Sequence, residues 1–98
     1  MSKITLHSLS CERKKDITGK DEPSLFIAGQ EVWSGKIEKH GREYPNESKE
    51  FDNSVLVQLK ESGNLLRSWT VSDQVKTNDD LVATSSGYHY VLVYSVSA

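Results

Sequence analysis

The sequence has little cysteine, no excess of basic over acidic residues, and no long apolar run. Cys11 is the one cysteine among 98 residues. A single sulfur forms no internal disulfide and assembles no thiolate metal site, so both of these ways of stabilising a small domain are excluded. We expect Cys11 to be a small core residue.

The charge balance argues against one class of partner. Twelve Lys and Arg stand against fourteen Asp and Glu, which gives a formal net charge of −2. Because a protein that neutralises phosphates needs a clear basic excess on one face, nucleic-acid binding is not expected. No segment is apolar for long enough to span a bilayer or to act as a signal peptide, which predicts a cytoplasmic location.

Helical periodicity is scarce as well. Apolar residues nowhere recur at helical spacing between caps, whereas β-branched and aromatic residues cluster in short runs between turn residues. The predicted strand regions are 3–11, 24–35, 54–61, 65–73 and 87–96. Their spacing predicts an all-β fold, a single antiparallel β-sandwich that takes up residues 1–98 as one domain.

Alternation within these runs predicts which side chains face the core. The last run carries Tyr88, Tyr90, Leu92, Tyr94 and Val96 on one face, and His89, Val91 and Val93 on the other. In the run 54–61, the inner face is expected to carry Val55, Val57 and Leu59. Both strands are therefore expected to line the core.

Turn residues predict how the strands are connected. Residues 24–35 predict a hairpin around Gly29 and Gln30, with Phe26 and Trp33 facing inward. Residues 36–52 are polar and predict a long surface connection, with room for a short edge strand.

Two acidic stretches lie between predicted strands: "KKDITGKDEP", residues 14–23, and "SDQVKTNDDL", residues 72–81. Calcium takes six to eight oxygen ligands, and loops can turn several carboxylates toward one point. If both stretches lie at the same end of the sandwich, they supply the acids of a calcium site. The candidate ligands are Asp16, Asp21, Glu22, Asp73, Asp79 and Asp80.

A second interpretation of the acidic stretches needs no ion. Carboxylates within a few ångströms of one another repel, so a cluster requires either a cation or side chains that diverge. Both stretches can be solvated turns in which lysines offset the acids: Lys14, Lys15, Lys20 and Lys76. Of the metals, calcium suits an all-oxygen ligand set better than zinc does.

The same stretches resemble the calcium loops of C2 domains. In "DITGKDEPSL", residues 16–25, Asp16 matches the first ligand, Gly19 the turn glycine, and Glu22 the second acid before the strand-starting Pro23. In "WTVSDQVKTNDDLVA", residues 69–83, Asp73 matches the first ligand of the third loop, and Asp79 and Asp80 match the later acidic pair. The resemblance implies a C2-like sandwich that binds calcium as a binding or targeting module.

The chain departs from the C2 pattern in three respects. Val75 stands where the family has an acidic ligand, Glu22 replaces an aspartate, and the chain is shorter than a typical C2 domain. Fewer ligands imply one ion rather than several.

Aliphatic residues within the acidic stretches suggest what the loops contact. Ile17 and Val75 lie in turns, next to Lys20 and Lys76. If the loops face one way, these residues form a surface suited to an anionic membrane or to a protein partner. The alternative is that the two aliphatic side chains cover the ends of the core.

Catalysis has little support in the sequence. The histidines His7, His40 and His89 are scattered, and no serine or cysteine has the local pattern of an activated nucleophile. We therefore predict a protein that is not an enzyme. The rival to the calcium module is a calcium-independent interaction module, which binds a protein partner through a strand edge or a loop surface. The sequence leaves the oligomeric state open.

Overall fold

The computed structural model describes residues 1–13 and 21–98, and in these ranges the chain forms strands and no helix. The strands are β1 (Ser2–Arg13), β2 (Pro23–Ile27), β3 (Gln30–Ser34), β4 (Arg42–Glu43), β5 (Glu47–Phe51), β6 (Ser54–Glu61), β7 (Asn64–Ser72), β8 (Lys76–Thr84) and β9 (His89–Ser97). The predicted all-β fold is confirmed.

The strands form two antiparallel sheets that pack as a sandwich. In the first sheet, β1 pairs with β9 and β9 pairs with β8, while β4 and β5 follow one another along the other edge of β1. In the second sheet the order is β3, β2, β6 and β7. The edge strands are therefore β8, β4 and β5 in the first sheet, and β3 and β7 in the second.

The core lies between the two sheets. Because side chains alternate along each strand, apolar side chains of both sheets point into this space. Along β9 the buried residues are Tyr90, Leu92, Tyr94 and Val96, as the alternation predicts. Their register partners on β1 are the buried residues Cys11, Leu9, Leu6 and Ile4. Directly opposed residues of an antiparallel pair share a face, so these side chains form one layer of the core. Cys11 is a core residue, as expected.

Strand β6 supplies the opposite layer. Val55, Val57 and Leu59 are buried, whereas Leu56 on the other face is 40% exposed, which confirms the predicted alternation. The β2–β3 hairpin turns at Ala28 and Gly29.

The inward orientation predicted for Phe26 is wrong. Phe26 pairs with Gln58 on the outer face of the second sheet, where the Lys60 ammonium lies 4.4 Å from the centre of its ring. Burial alternates regularly along β2, so Phe26 faces outward between the buried Leu25 and Ile27, and the cation offers the outward ring a favourable contact. The bulge of this hairpin lies in β3, at Val32. Trp33 is partly buried and packs against the core.

The segment 36–52 does more than connect. It contributes β4 and β5 to the edge of β1 and buries Ile37 and Phe51. Ile37 also exchanges two backbone hydrogen bonds with Asp21, with N···O distances of 3.0 and 2.9 Å. This edge of the sandwich is therefore covered by the chain itself.

The register defines the two ends of the sandwich. Arg13 pairs with His89, and Lys3 pairs with Ser97. We call the end at which β1 finishes the Arg13 end, and the end at which β1 begins the Ser2 end.

Candidate interaction edge

The register places the described residues of the two acidic stretches toward opposite ends of the sandwich. The first follows β1 and leads into β2, at the Arg13 end, where Asp21 meets Tyr90. The second begins between β7 and β8, at the Ser2 end, because Lys76 pairs with Val96. Seven residue steps of β9 separate His89 from Val96, which corresponds to about 23 Å at ~3.3 Å per residue.

Asp21 is a buried structural residue. Its side chain is fully buried, and its Oδ2 accepts a hydrogen bond from the Tyr90 hydroxyl. Burial raises the pKa of the Tyr90 phenol, and the hydrogen bond to Asp21 raises it further. Tyr90 therefore remains a hydrogen-bond donor through the neutral pH range, and the pair ties the start of β2 to β9.

Glu22 is exposed and lies in a polar setting at the same end. Its carboxylate is 4.0 Å from the Lys36 ammonium. Its backbone N–H donates to Glu61 Oε2 across 3.4 Å. Glu61 is buried, and the same oxygen accepts a hydrogen bond of 2.5 Å from the Ser62 hydroxyl. These contacts hold the β2 and β6 ends together.

The second acidic stretch is mostly strand, which corrects its assignment as a loop. Asp79 and Asp80 lie within β8 and pair with Tyr94 and Val93. β-branched and aliphatic residues at the end of the stretch, together with a continuous ladder to β9 from Asp79 to Thr84, outweigh the turn propensity of Asn and Asp. The connection to β7 is 73–75, and Val75 within it is 61% exposed, so Val75 does not cover the core.

Asp79 has a lysine as its neighbour on the strand. The Asp80 backbone N–H and the Lys76 ammonium, 3.4 Å from the carboxylate, lower the pKa of Asp79. Burial and then the Asp79 charge raise the pKa of Tyr94. Asp73 is exposed, and its backbone N–H donates to the Asn53 carbonyl.

The described residues do not fit one calcium site built from both stretches. Asp21 and Glu22 lie at the Arg13 end. Asp73 lies on the connection from β7 to β8 at the Ser2 end, and Asp79 and Asp80 lie on β8, which begins there. Within 1–13 and 21–98, no three acidic, histidine or cysteine side chains are grouped so as to hold a metal. The candidates Asp16, Ile17 and Lys20 lie outside the described residues.

The histidines that the structure describes take ordinary partners. His7 Nε2 lies 2.7 Å from Ser95 Oγ, and that oxygen also accepts the Asn78 backbone N–H. His89 Nδ1 lies 2.9 Å from Thr84 Oγ1. That the chain is not an enzyme stays a prediction.

The feature that stands out in the structure is the edge of β7. This strand is nine residues long, contains no proline, and has Arg67 as its single charged residue. Among the residues that the structure describes, it pairs with β6 alone. The Tyr88 hydroxyl donates to the carbonyl of Leu66, so the free stretch begins at the next residue. We call residues 67–72 the β7 edge.

The other edges are protected by means that natural sheets commonly use. On β8, the register shifts between Lys76 and Asp79, Asn78 has a positive φ of 49°, and Asp79 lies on the inner face opposite Tyr94. Strands β3 and β5 have five residues each, and Lys49 Nζ donates to Gln30 Oε1 between them. By comparison, the β7 edge carries one charge, and the register shift of β7 lies before it, at Leu66.

Partly exposed apolar side chains line the space beside the β7 edge. We call this group the apolar floor, and its members are Leu66, Trp69, Leu81 and Tyr88. Leu66 and Trp69 lie on β7, and Leu81 lies on β8. The floor joins the edge strands of both sheets, so an added strand beside β7 would cover its exposed part.

Sequence reasoning located β7 as a strand but did not assign it the site. The signal available was the scarcity of charge: eight of the nine residues of β7 are uncharged, whereas every other long connection or strand edge carries acids or lysines. The sequence did not show that β7 is the last strand of its sheet.

Comparisons with known proteins bear on the fold. No protein-family model and no curated protein matches the chain. Among solved structures the chain is similar to one described as "Structure of a C2 domain", with 11% sequence identity and a TM-score of 0.63 over 100% of both chains. The C2-like fold is thereby confirmed. In addition, the described residues form no helix of the length and apolarity that a membrane span requires.

Proposed function

We propose that this chain is a calcium-independent protein-interaction module that binds an extended segment of a partner along the β7 edge. The observation that carries the proposal is the β7 edge, residues 67–72, which is unpaired within the described residues and lies beside a partly exposed apolar floor. Extended segments add to such edges through main-chain hydrogen bonds, while side chains on alternate positions give specificity. A C2-like sandwich is a common scaffold for binding, which agrees with this use.

A protein segment fits the β7 edge better than a membrane does. The edge offers unpaired backbone N–H and C=O groups, and a bilayer interior leaves such groups unsatisfied. The membrane interpretation needs Ile17 and Val75 at one end; Val75 lies at the Ser2 end, and Ile17 lies outside the described residues.

The first expected result concerns calcium. We expect the midpoint of thermal unfolding to be the same in excess calcium, in excess magnesium and in chelator, because the described acids of the two stretches are not gathered at one point. The measurement is a thermal melt of the purified 98-residue chain followed by circular dichroism.

A calcium-selective rise of several degrees would contradict calcium independence. An ion present at about a hundred times its dissociation constant stabilises by roughly 2.7 kcal/mol, which is readily visible in a domain of this size. In that event Glu22→Gln and Asp73→Asn, melted in parallel, would assign the ion to the Arg13 end or to the Ser2 end.

The second expected result tests binding at the β7 edge. A library of random dodecapeptides displayed on phage, selected against the immobilised chain, is expected to yield peptides of alternating apolar and polar residues. In synthetic copies, methylation of every second amide nitrogen is expected to abolish binding for one alternating set and to leave it nearly unchanged for the other. The reason is that one set of N–H groups faces the protein in an added strand and the other faces away.

Two outcomes would overturn the proposal. One is a selection that enriches no binding peptide; the other is a set of peptides whose binding is indifferent to both methylation patterns. The second result would mean that side chains alone are read, as in a groove or a loop site.

A further inference from the structure

Arg67 lies on the inner side of the β7 edge, where an added strand would meet it. It is the register partner of the buried Leu59, and directly opposed residues share a face of the sheet. Trp69 is the partner of the buried Val57 on the same face. The guanidinium is nevertheless exposed, because β7 ends its sheet and nothing described pairs beyond it.

The charge of Arg67 has no counterpart in the parts of the chain that the structure describes. No ion pair within 1–13 and 21–98 includes it. The acid on the inner face of the neighbouring edge strand, Asp79, is 3.4 Å from Lys76 and is therefore already balanced. The space between β7 and β8 thus combines an apolar floor with one uncompensated positive charge.

A second copy of the chain does not supply the missing acid through its own β7. That strand contains no Asp or Glu, so pairing β7 with β7 would bring two arginines to one interface. The β8 edge of another copy carries Asp79 and Asp80, but a β7-to-β8 contact is head-to-tail and leads to rings or open filaments. Charge complementarity therefore favours a different protein.

From these observations, and resting on the proposed function, we infer that the partner contributes an antiparallel strand with a carboxylate side chain opposite Arg67. Apolar side chains at the second and fourth positions before that acid would then lie opposite Trp69 and Val71. Antiparallel addition continues the pairing of the whole second sheet, in which each described pair is antiparallel. A charged hydrogen bond between a guanidinium and a carboxylate is stronger than a neutral one and fixes the register of the added strand.

The test compares peptide selections on three proteins. The same dodecapeptide library, fused to phage through the peptide C-terminus so that no terminal carboxylate is present, is selected on the unchanged chain, on Arg67→Glu and on Arg42→Glu. Arg42 is exposed on β4, at the opposite edge of the first sheet, so Arg42→Glu makes the same charge change away from the site. Thermal melts confirm that each variant folds, and Arg67→Gln replaces Arg67→Glu if that variant does not.

We expect Asp or Glu at one position in peptides selected on the unchanged chain and on Arg42→Glu, and Lys or Arg at that position on Arg67→Glu. In amidated synthetic peptides, exchange of that acid for Lys should weaken binding to the unchanged chain about tenfold, or 1.4 kcal/mol. The same exchange should strengthen binding to Arg67→Glu.

The outcomes separate this inference from the proposed function. The inference would be overturned by peptides that respond to one methylation pattern but carry no preferred acid. It would also be overturned if peptides selected on Arg67→Glu kept the preference for an acid. Either result would leave binding at the β7 edge intact. Selections without such peptides would overturn both.

Discussion

Leu59→Ala is expected to destabilise the chain by about 2–5 kcal/mol, with a fall in Tm of roughly 10 °C or more. Leu59 is fully buried on β6, between Leu25 of β2 and Arg67 of β7 in the register. Truncation removes apolar contacts and leaves a cavity between two rigid sheets. The cost is large because a chain of 98 residues has a modest core and few other contacts to take up the space.

Leu56→Ala is the matched control for this result. Leu56 lies on the same strand with the opposite orientation and is 40% exposed. We expect the same truncation there to cost less than about 1 kcal/mol, since Leu56 is already partly in water in the folded state and its truncation leaves no enclosed cavity. Equal losses for the two variants, measured by urea or thermal unfolding, would contradict the assignment of the inner face of β6.

Tyr90→Phe is expected to cost about 1.5–3 kcal/mol at neutral pH, although it keeps the aromatic ring. The Tyr90 hydroxyl donates to the fully buried Asp21, and removal of a donor from a buried acidic group carries a high cost. The control is Tyr88→Phe, whose hydroxyl donates to the Leu66 carbonyl across 3.1 Å in a partly exposed position. We expect that control to cost about 1 kcal/mol or less.

The same pair predicts a particular behaviour in alkali. Because the pKa of Tyr90 in the folded chain is raised above the ordinary value of 10, the folded state keeps a proton that the unfolded chain releases above pH 10. This contribution to stability is fully present below pH 10 and is lost as pH rises, at about 1.4 kcal/mol per pH unit. The difference in stability between the unchanged chain and Tyr90→Phe should therefore narrow above pH 10. A difference that stays constant from pH 9 to pH 11 would show that Tyr90 ionises normally.

Much of the fold could be predicted because burial follows alternation. In β9 and β6 every second side chain is apolar, and a one-residue shift would expose the whole set, so the faces were readable without a structure. Phe26 was misread because Leu25, Phe26 and Ile27 are all apolar, so composition does not show which of them faces the core; Leu25 and Ile27 are buried, and Phe26 between them faces outward.

The calcium site could not be judged from sequence, because its formation depends on which ends of the strands meet. Composition and spacing located two acidic stretches but did not show how far apart they lie in the folded chain. However, whether two connections share an end is decided by the pairing of β8 with β9 and of β9 with β1. The burial of Asp21 was equally hidden, since its partner Tyr90 is 69 residues away in the chain.

The β7 edge could not be recognised for a related reason. The run "NLLRSWTVS" has the composition of an ordinary half-buried strand. What makes it a candidate interaction edge is its position at the end of the second sheet, together with Leu81 and Tyr88 from other parts of the chain. Topology, rather than composition, exposes its backbone.

Amide hydrogen exchange of β7, with and without a selected dodecapeptide, tests the central claim most directly. In the free chain, the β7 amides that bond to β6 should exchange slowly and the alternate amides of residues 67–72 should exchange fast, because the latter face water. Bound peptide should slow those alternate amides by at least tenfold and leave residues 21–23 and 73–75 unchanged. If the peptide protects those connections, or protects no amide of β7, binding does not occur by strand addition at this edge.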